Sequence, residues 1–306
     1  MNLGSIAGSP AIGMEIGMED WTVIPDYKEN KELRESFEAL AQRTFGIHFE
    51  EWYRLGFWRE DYIPYSVAEG NKIISNVSVN KMRFDLDGKR KNFIQLGTVM
   101  TDTEYRGKGL NRLLVERILM DYKDTCGGIY LFANDSVLDY YPKFGFQKAL
   151  EFQYSKKVRN TGEREAVIWP MTDMKSYAWM EEMIKKSRKN SLFEMDNRGL
   201  LLFYLTYFMK NAVYYIHTLK TYAIAEEEGG TLYLHHIISE QEAELDRIIA
   251  AFGENITKVV LGFTPLSFHG FDREEVRETD TTLFVLGEEW EEFQNRQLRF
   301  PVLSHA

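Results

Sequence analysis

The stretch "TVMTDTEYRGKGLNRLL", residues 98–114, joins an apolar run to a leucine-rich helical pattern through a bend carrying Arg106, Gly107, Lys108 and Gly109. Such a bend suits an anion. The first N–H groups of a helix are unpaired and carry roughly half a positive charge. Glycine leaves that backbone uncovered, so a pyrophosphate can sit there without help from side chains. Arg106 and Lys108 add charge. Two other phosphate cradles are excluded. Gly109 follows Lys108 where a Walker loop needs Ser or Thr, and Arg112 stands where a dinucleotide loop needs its third glycine.

The elements that must position this bend can be read on both sides of it. Leu33, Phe37, Leu40, Ala41 and Phe45 recur at helical spacing up to Gly46, and "HFEEWYRLGFW" supplies a second, aromatic helical segment. Strand-like runs over residues 65–100 are broken at Glu69-Gly70-Asn71 and at Asp87-Gly88, two hairpin signals that predict three antiparallel strands. From Leu110 the period is helical through Leu113, Leu114, Ile118 and Tyr122, ending at Gly127-Gly128. "IYLFA" then reads as a buried strand leading to Asn134, and "YYPKFGF" as a turn before a further strand reaching Val158. Residues 159–173 mix charge, Gly and Pro as a linker does. The remainder repeats the outline, with helices, a Glu-Gly-Gly hairpin, another helix and two more strands.

In this order the motifs resemble the GNAT acetyltransferase superfamily. The bend Arg-x-x-Gly-x-Asn over residues 106–111 is similar to that family's Arg/Gln-x-x-Gly-x-Gly/Ala loop, and "YYPKFGF" to its Tyr-x-(Lys/Arg)-(Leu/Phe)-Gly-(Phe/Tyr) segment. The resemblance implies an α+β GNAT fold, a central mostly antiparallel mixed sheet flanked by helices. It implies acetyl-CoA as acyl donor, with no metal. The donor would be held by Val99, Met100 and Thr101 at the end of a splayed strand, by Arg106, Gly107, Lys108, Gly109, Leu110 and Asn111 at the bend, and by Asn134. Asn111 departs from the family's Gly or Ala, so its side chain stands to crowd the phosphate or donate to it.

The tandem outline, with "GLNRLL" and "YPKFGF", looks most like the enhanced-intracellular-survival type of GNAT enzyme, here expected without that type's third, sterol-carrier-like domain. The expected organisation is a flexible extension at 1–14, a catalytic GNAT domain at 15–158, a linker at 159–173 and a degenerate GNAT-like domain at 174–306. The second unit has "SEQEAELDRI" where a glycine bend would stand. Acids at a helix start cap it well but repel phosphate, so this unit is expected to bind no CoA.

Acetyl transfer to an amine needs the thioester held, a donor to the developing oxyanion and a proton for the leaving thiolate. Backbone N–H groups near residues 99–101 supply the donor. The resemblance places the family's general-acid tyrosine at Tyr141, whose phenol is protonated at neutral pH. The base is left open, because residues 93–101 contain no ionisable side chain. Water, Glu69, His48, Glu50, Glu51 and the terminal carboxylate of Ala306 are candidates. The acceptor groove is expected to involve His48, Trp52, Glu69 and Ala306, the rings of residues 48–58 forming either an aromatic wall or ordinary core. His235-His236 does not read as a metal site, since adjacent strand residues face opposite ways and no third ligand is spaced to join them.

Bulk composition narrows the class. A formal net charge of −10 over 306 residues argues against nucleic-acid binding and favours a cationic acceptor. The single cysteine, Cys126, fits a reducing compartment and reads as a small buried residue. No run of 18 apolar residues exists to span a bilayer. The expectation is a cytoplasmic acetyl-CoA-dependent N-acetyltransferase acting on a small cationic or peptide amine, with homo-oligomerisation allowed. The rivals are a non-catalytic acyl-CoA sensor and an aminoacyl or long-acyl transferase on the same framework.

Overall fold

The computed structural model describes residues 21–306, so the extension expected at 1–14 and the first residues of the unit expected at 15–158 lie outside the described residues. The strands are, in chain order, β1 (Val23–Pro25), β2 (Tyr62–Glu69), β3 (Lys72–Leu86), β4 (Lys89–Thr101), β5 (Gly128–Ala133), β6 (Gln147–Lys148), β7 (Phe152–Lys157) and β8 (Val167–Ile168). They continue with β9 (Phe193–Met195), β10 (Val213–Ile216), β11 (Thr221–Glu228), β12 (Thr231–Ser239), β13 (Lys258–Leu261), β14 (Asp272–Glu275) and β15 (Thr282–Leu286). The helices are α1 (Lys31–Phe45), α2 (Glu50–Arg54), α3 (Leu110–Tyr122), α4 (Met174–Lys186), α5 (Arg198–Thr206), α6 (Leu245–Ala250) and α7 (Trp290–Asn295).

Local chemistry accounts for most boundaries. Asn30 caps α1 by accepting from the N–H groups of Glu32 and Leu33, and the helix stops where Gly46 turns left-handed at φ 71°. Its face of Leu33, Phe37, Leu40 and Ala41 is buried. Asp87 and Gly88 both have positive φ, 52° and 79°, the backbone that a two-residue hairpin between β3 and β4 requires.

Two sheets result, one ordered β1-β2-β3-β4-β5-β15-β6 with β9 on β3, the other β14-β7-β13-β12-β11-β10-β8. Each contains four successive antiparallel strands, a parallel neighbour reached through a helix, and then two more antiparallel strands. In the first sheet β4 pairs parallel with β5, and in the second β12 pairs parallel with β13. The closing strands are exchanged. β15, from the C-terminal half, pairs with β5, while β7, from the N-terminal half, pairs with β13. The divisions expected at 158/159 and 173/174 therefore do not divide the sheets. The chain crosses between them after β6, and β8, inside the expected linker, is an edge strand of the second sheet.

The crossing is built around Glu151, which is buried and accepts from the Phe300 N–H at 2.8 Å, while its own carbonyl accepts from Val276 N–H. Burial, only partly offset by Arg299 and by the Phe300 N–H, pushes its carboxyl up to about 7.

Two tests follow from the exchange. Phe284 of β15 is fully buried in the core under β5 and α3, so Phe284→Ala is expected to cost about 3–5 kcal/mol. Urea unfolding of that variant is expected to remain a single transition, since the residue belongs to one half by sequence and to the other by packing. Two resolved transitions would contradict this. For Glu151 the folded state favours the protonated carboxyl. Stability is therefore greatest below the unfolded pKa, falls as pH rises toward about 7, and is level above it. Glu151→Gln is expected to flatten that fall in melts between pH 4.5 and 8.

Candidate active site

β4 is the element that makes the site. It pairs with β5 only over Phe93, Ile94 and Gln95, after which the two strands separate. Against β3 its register shifts, so that Gly97 lies opposite Ser78 and Met100 opposite Asn76, leaving Thr98 and Val99 across from Val77 alone. This is a β-bulge, with Thr98 at φ 47°.

Buried polar side chains hold it. Tyr27 and Ser66 hydroxyls are 2.6 Å apart, Ser66 donates to Asn76 Oδ1 at 2.8 Å, and Asn76 Nδ2 donates to the Thr98 carbonyl at 2.8 Å and to Ser78 Oγ at 2.9 Å. Ser78 in turn donates to the Tyr62 hydroxyl, which lies 2.9 Å from Thr98 Oγ1. Each group is satisfied by the next, which is the condition for burying such groups without destabilising the sheet.

The bulge opens on a groove of about 1140 Å³, bounded by the separated ends of β4 and β5, the bend before α3, and the turn at Tyr140 and Tyr141. Val99, Met100 and Thr101 line it, as do Arg106, Gly107, Gly109, Leu110, Asn111, Asn134 and Tyr141. Gly107 and Gly109 take φ of 78° and 79°, a backbone that a side chain would strain, and α3 starts at the next residue. Lys108 does not line the groove, and its ammonium lies 4.7 Å over the Tyr105 ring. Asn111 is turned inward. Its Oδ1 accepts from Ser75 Oγ at 2.8 Å and Thr101 Oγ1 at 3.1 Å, tying α3 to the sheet, while its Nδ2 makes no hydrogen bond among the described residues.

Tyr141 is buried, with no hydrogen-bond partner for its hydroxyl among the described residues, and lies on the groove wall. Burial pushes its phenol well above the ordinary range, so it stays protonated at neutral pH. The Tyr140 hydroxyl is buried without a partner, and burial pushes it up to about 12.

The four residues expected at the acceptor groove separate. Ala306 lines the groove; His48, Trp52 and Glu69 do not. Trp52 belongs to a ring cluster between the two halves, its Nε1–H donating to the Gly199 carbonyl at 2.9 Å and its ring 5.3 Å from Phe203. His48 is exposed beside Glu38 and Gln42, and Glu69 accepts from the Tyr105 hydroxyl. Of the other base candidates, Glu50 pairs with Arg34 and Glu51 is exposed on α2.

The tail reaches the groove because β4 receives it. The Gln95 amide donates to Ser304 O at 2.8 Å and accepts from Ala306 N–H at 3.0 Å, Tyr204 donates to His305 O at 2.6 Å, and the His305 ring stacks on Phe132 with centroids 3.7 Å apart. Burial pushes the His305 imidazole down to about 3, leaving it neutral. Gly97 is what permits this approach, since a Cβ there would meet the Ala306 carbonyl oxygen at 2.3 Å. The signal was present in "QLGTVM", where a glycine inside a strand pattern marks a bulge or a close backbone approach. Nothing local in the sequence marked Asn76, Ser78 or Tyr62.

In the second unit the corresponding cleft is filled. Beyond the β12–β13 pairing, Val302 N–H donates to Gly262 O, Leu192 N–H to Thr264 O, Arg188 N–H to Ser239 O, and Asn190 Nδ2 to Ile237 O at 3.3 Å. His235 and His236 face opposite sides, the first against Glu226 at 3.0 Å and the second 3.9 Å from Glu194.

Comparison with known proteins agrees with this geometry. The sequence profile of the Acetyltransferase (GNAT) family matches residues 30–146. A probable N-acyltransferase from Enterococcus faecalis, a conserved protein of unknown function, is similar in structure at a TM-score of 0.53 and 16% identity, over 87% of this chain and 72% of that one. A GCN5-related N-acetyltransferase from Kribbella flavida is similar at 0.53 and 16%, over 87% and 71%. Eis1 from Mycobacterium abscessus is similar at 0.52 and 13%, over 86% and 73%. At such identities these structures share the fold. No curated protein sequence matches the chain.

The seating of the tail is testable. Gly97→Ala is expected to expel residues 304–306, raising the amide hydrogen-exchange rate of that segment by about tenfold or more, the response of a segment freed from its contacts. An unchanged rate would show that the tail does not rest on Gly97.

Proposed function

We propose, from the match of residues 30–146 to the profile of the GNAT acetyltransferase family, that the chain is an acetyl-CoA-dependent N-acetyltransferase whose acceptor is a small cationic or peptide amine. The observation that carries the reading is one groove shared by the glycine bend, the bulge of β4, Tyr141 and Ala306. The bend, with Arg106 beside it, suits the pyrophosphate of the donor. The separated ends of β4 and β5 suit an extended pantetheine arm, which would take the place of a strand. Main-chain N–H groups at Val99 and Met100 would face the thioester oxygen as it becomes negative.

In the reaction proposed, the amine nitrogen attacks the thioester carbonyl, the carbon–sulfur bond breaks, and the Tyr141 phenol gives its proton to the departing thiolate. Protonation held by burial suits an acid that must remain charged with its proton until sulfur leaves. A base must take the proton lost by the amine. β4 offers no carboxylate at this level, and its Gln95 is committed to the tail. We assign the role of accepting that proton to water in the groove. The organisation proposed is one catalytic unit and one degenerate unit that supplies β15 and the tail.

Calorimetric titration with acetyl-CoA tests the first part. Gly109→Trp places a large ring at an open, left-handed position of the bend and is expected to abolish one-to-one binding. Tyr141→Phe is expected to leave that binding unchanged while lowering turnover of an amine panel by about 10²-fold or more, the usual worth of a general acid. Binding with turnover unaffected by Tyr141→Phe would remove the acid assignment. Binding with no turnover of any amine would favour an acyl-CoA sensor, and no binding at all would defeat the acetyltransferase reading.

A further inference from the structure

A second cavity, of about 550 Å³, lies at the other end of β3 and β4, where the first sheet meets α4, α5 and β12. Its walls carry six cationic side chains, Arg83, Arg90, Lys185, Arg188, Lys189 and Arg198, against three acidic ones, Asp85, Glu194 and Asp196. In a chain of net charge −10 this local excess is out of proportion.

Internal pairing uses up part of it. Arg83 makes a two-pronged contact with Asp61 at 2.6 and 2.8 Å, Arg90 reaches Asp196 at 3.5 Å, Lys189 pairs with Asp85, and Lys185 pairs with Glu181 and Glu182. Glu194 is engaged from the backbone, one oxygen accepting the N–H groups of Asn190 and Ser191 at 3.1 and 2.9 Å. Arg188 and Arg198 are left without an ion pair among the described residues, although Glu182 is close enough to Arg198 to feel its charge. On the same cavity wall His236 is only 9% exposed, yet its ring nitrogens make no hydrogen bond among the described residues and approach no carboxylate closer than 3.9 Å.

Two guanidiniums without an ion pair and an imidazole without a hydrogen bond thus line one half-open cavity. Guanidinium forks match the oxygens of phosphate and carboxylate groups, and a ring N–H on the same wall can add a third hydrogen bond. The cavity falls within the usual size of a small-molecule site. We propose that it binds a small polyanion, a phosphorylated or polycarboxylated molecule, through Arg188 and Arg198 with the His236 imidazole as a third donor. The site stands about 20 Å along β4 from the groove, six residues of extended chain, and does not depend on the acetyltransferase reading.

The test uses the full chain carrying Gly109→Trp, so that the glycine bend does not contribute, titrated at low ionic strength with inorganic pyrophosphate and separately with citrate. Saturable binding is expected, weakened at least about tenfold when Arg188→Gln and Arg198→Gln are added, as loss of charge-assisted contacts requires. The His236 imidazole resonances are expected to move on saturation. Response to pyrophosphate alone identifies a phosphorylated ligand, and response to both probes an oxyanion site open to polycarboxylates. Arg188→Lys with Arg198→Lys keeps the charge but not the forks and is expected to lose less affinity than the double Gln variant, which separates lost recognition from lost folding. No saturable binding of either probe, affinity indifferent to the double Gln substitution, or unmoved His236 resonances would overturn the proposal.

Discussion

The exchange of β7 and β15 is the constraint on which the rest of the molecule depends. In each sheet the strand after the parallel pair is antiparallel, and without it the outer edge of β5 or β13 would present a row of unpaired backbone groups. Each half of the chain closes the other's edge, so neither sheet is complete on its own. The consequence reaches the groove. Having returned to the first sheet as β15, the chain cannot leave it freely, because α7 and the segment after it are fastened to that sheet by rings. Trp290 stacks on Phe93 with centroids 4.4 Å apart, and Phe300 on Tyr130 at 4.2 Å. From Phe300, residues 301–306 run through the second unit's cleft to β4. Ala306 is at the groove because β15 is next to β5.

A second requirement acts inside β4 itself. A strand that is fully paired offers its backbone to its neighbours and none to a ligand, while a strand that simply ends gives no rigid surface. The bulge at Thr98 resolves this by breaking the ladder in the middle of a strand that continues on both sides. A positive φ at a β-branched residue is strained, and what over-determines it is the line of hydroxyl and amide groups from Tyr27 to Thr98, nearly all of it out of contact with water. Asn76 is the residue most committed, since one side chain satisfies Ser66, Ser78 and the Thr98 carbonyl at once.

What could be read in the sequence follows from which of these effects are local. Hairpin glycines, the change of period at Leu110 and the glycine-basic bend are short-range signals, and the elements they announce are where expected. The fold class and the order of elements in the first unit were legible for that reason. Strand partners are another matter. β7 and β15 each look like a strand, but no feature of "FQYSKK" or "TLFVL" says which sheet it joins, because pairing is decided by edges left open more than a hundred residues away. The aromatic run of residues 48–58 failed as a groove for a related reason. Rings at helical spacing state that a face is apolar, and the surface that covers it, Phe203 and Gly199 of α5, comes from the other half. The anchoring of the Asn111 Oδ1 could not be read locally either, since its partner Ser75 sits on another strand.

The second unit shows how a fold can be kept while its groove is not. Its strand order matches that of the first, but where the first has an open cleft between β4 and β5, the second holds main chain from residues 188–192 and from the tail. Gly262 is the point of closest approach, where a Cβ would meet Val302 at 2.7 Å, much as Gly97 admits Ala306 in the first. The two glycines are thus parts of one path. The tail is gripped at Gly262, turned by Pro301 and the short helix after it, and delivered to Gly97. If the second cleft were open to a ligand as the first is, the tail would lose the wall that aims it. The absence of a glycine bend before α6 is then no defect of this unit, whose contribution is position: it completes one sheet, is completed by the other, and guides residues 301–306 to the place where β4 leaves its backbone exposed.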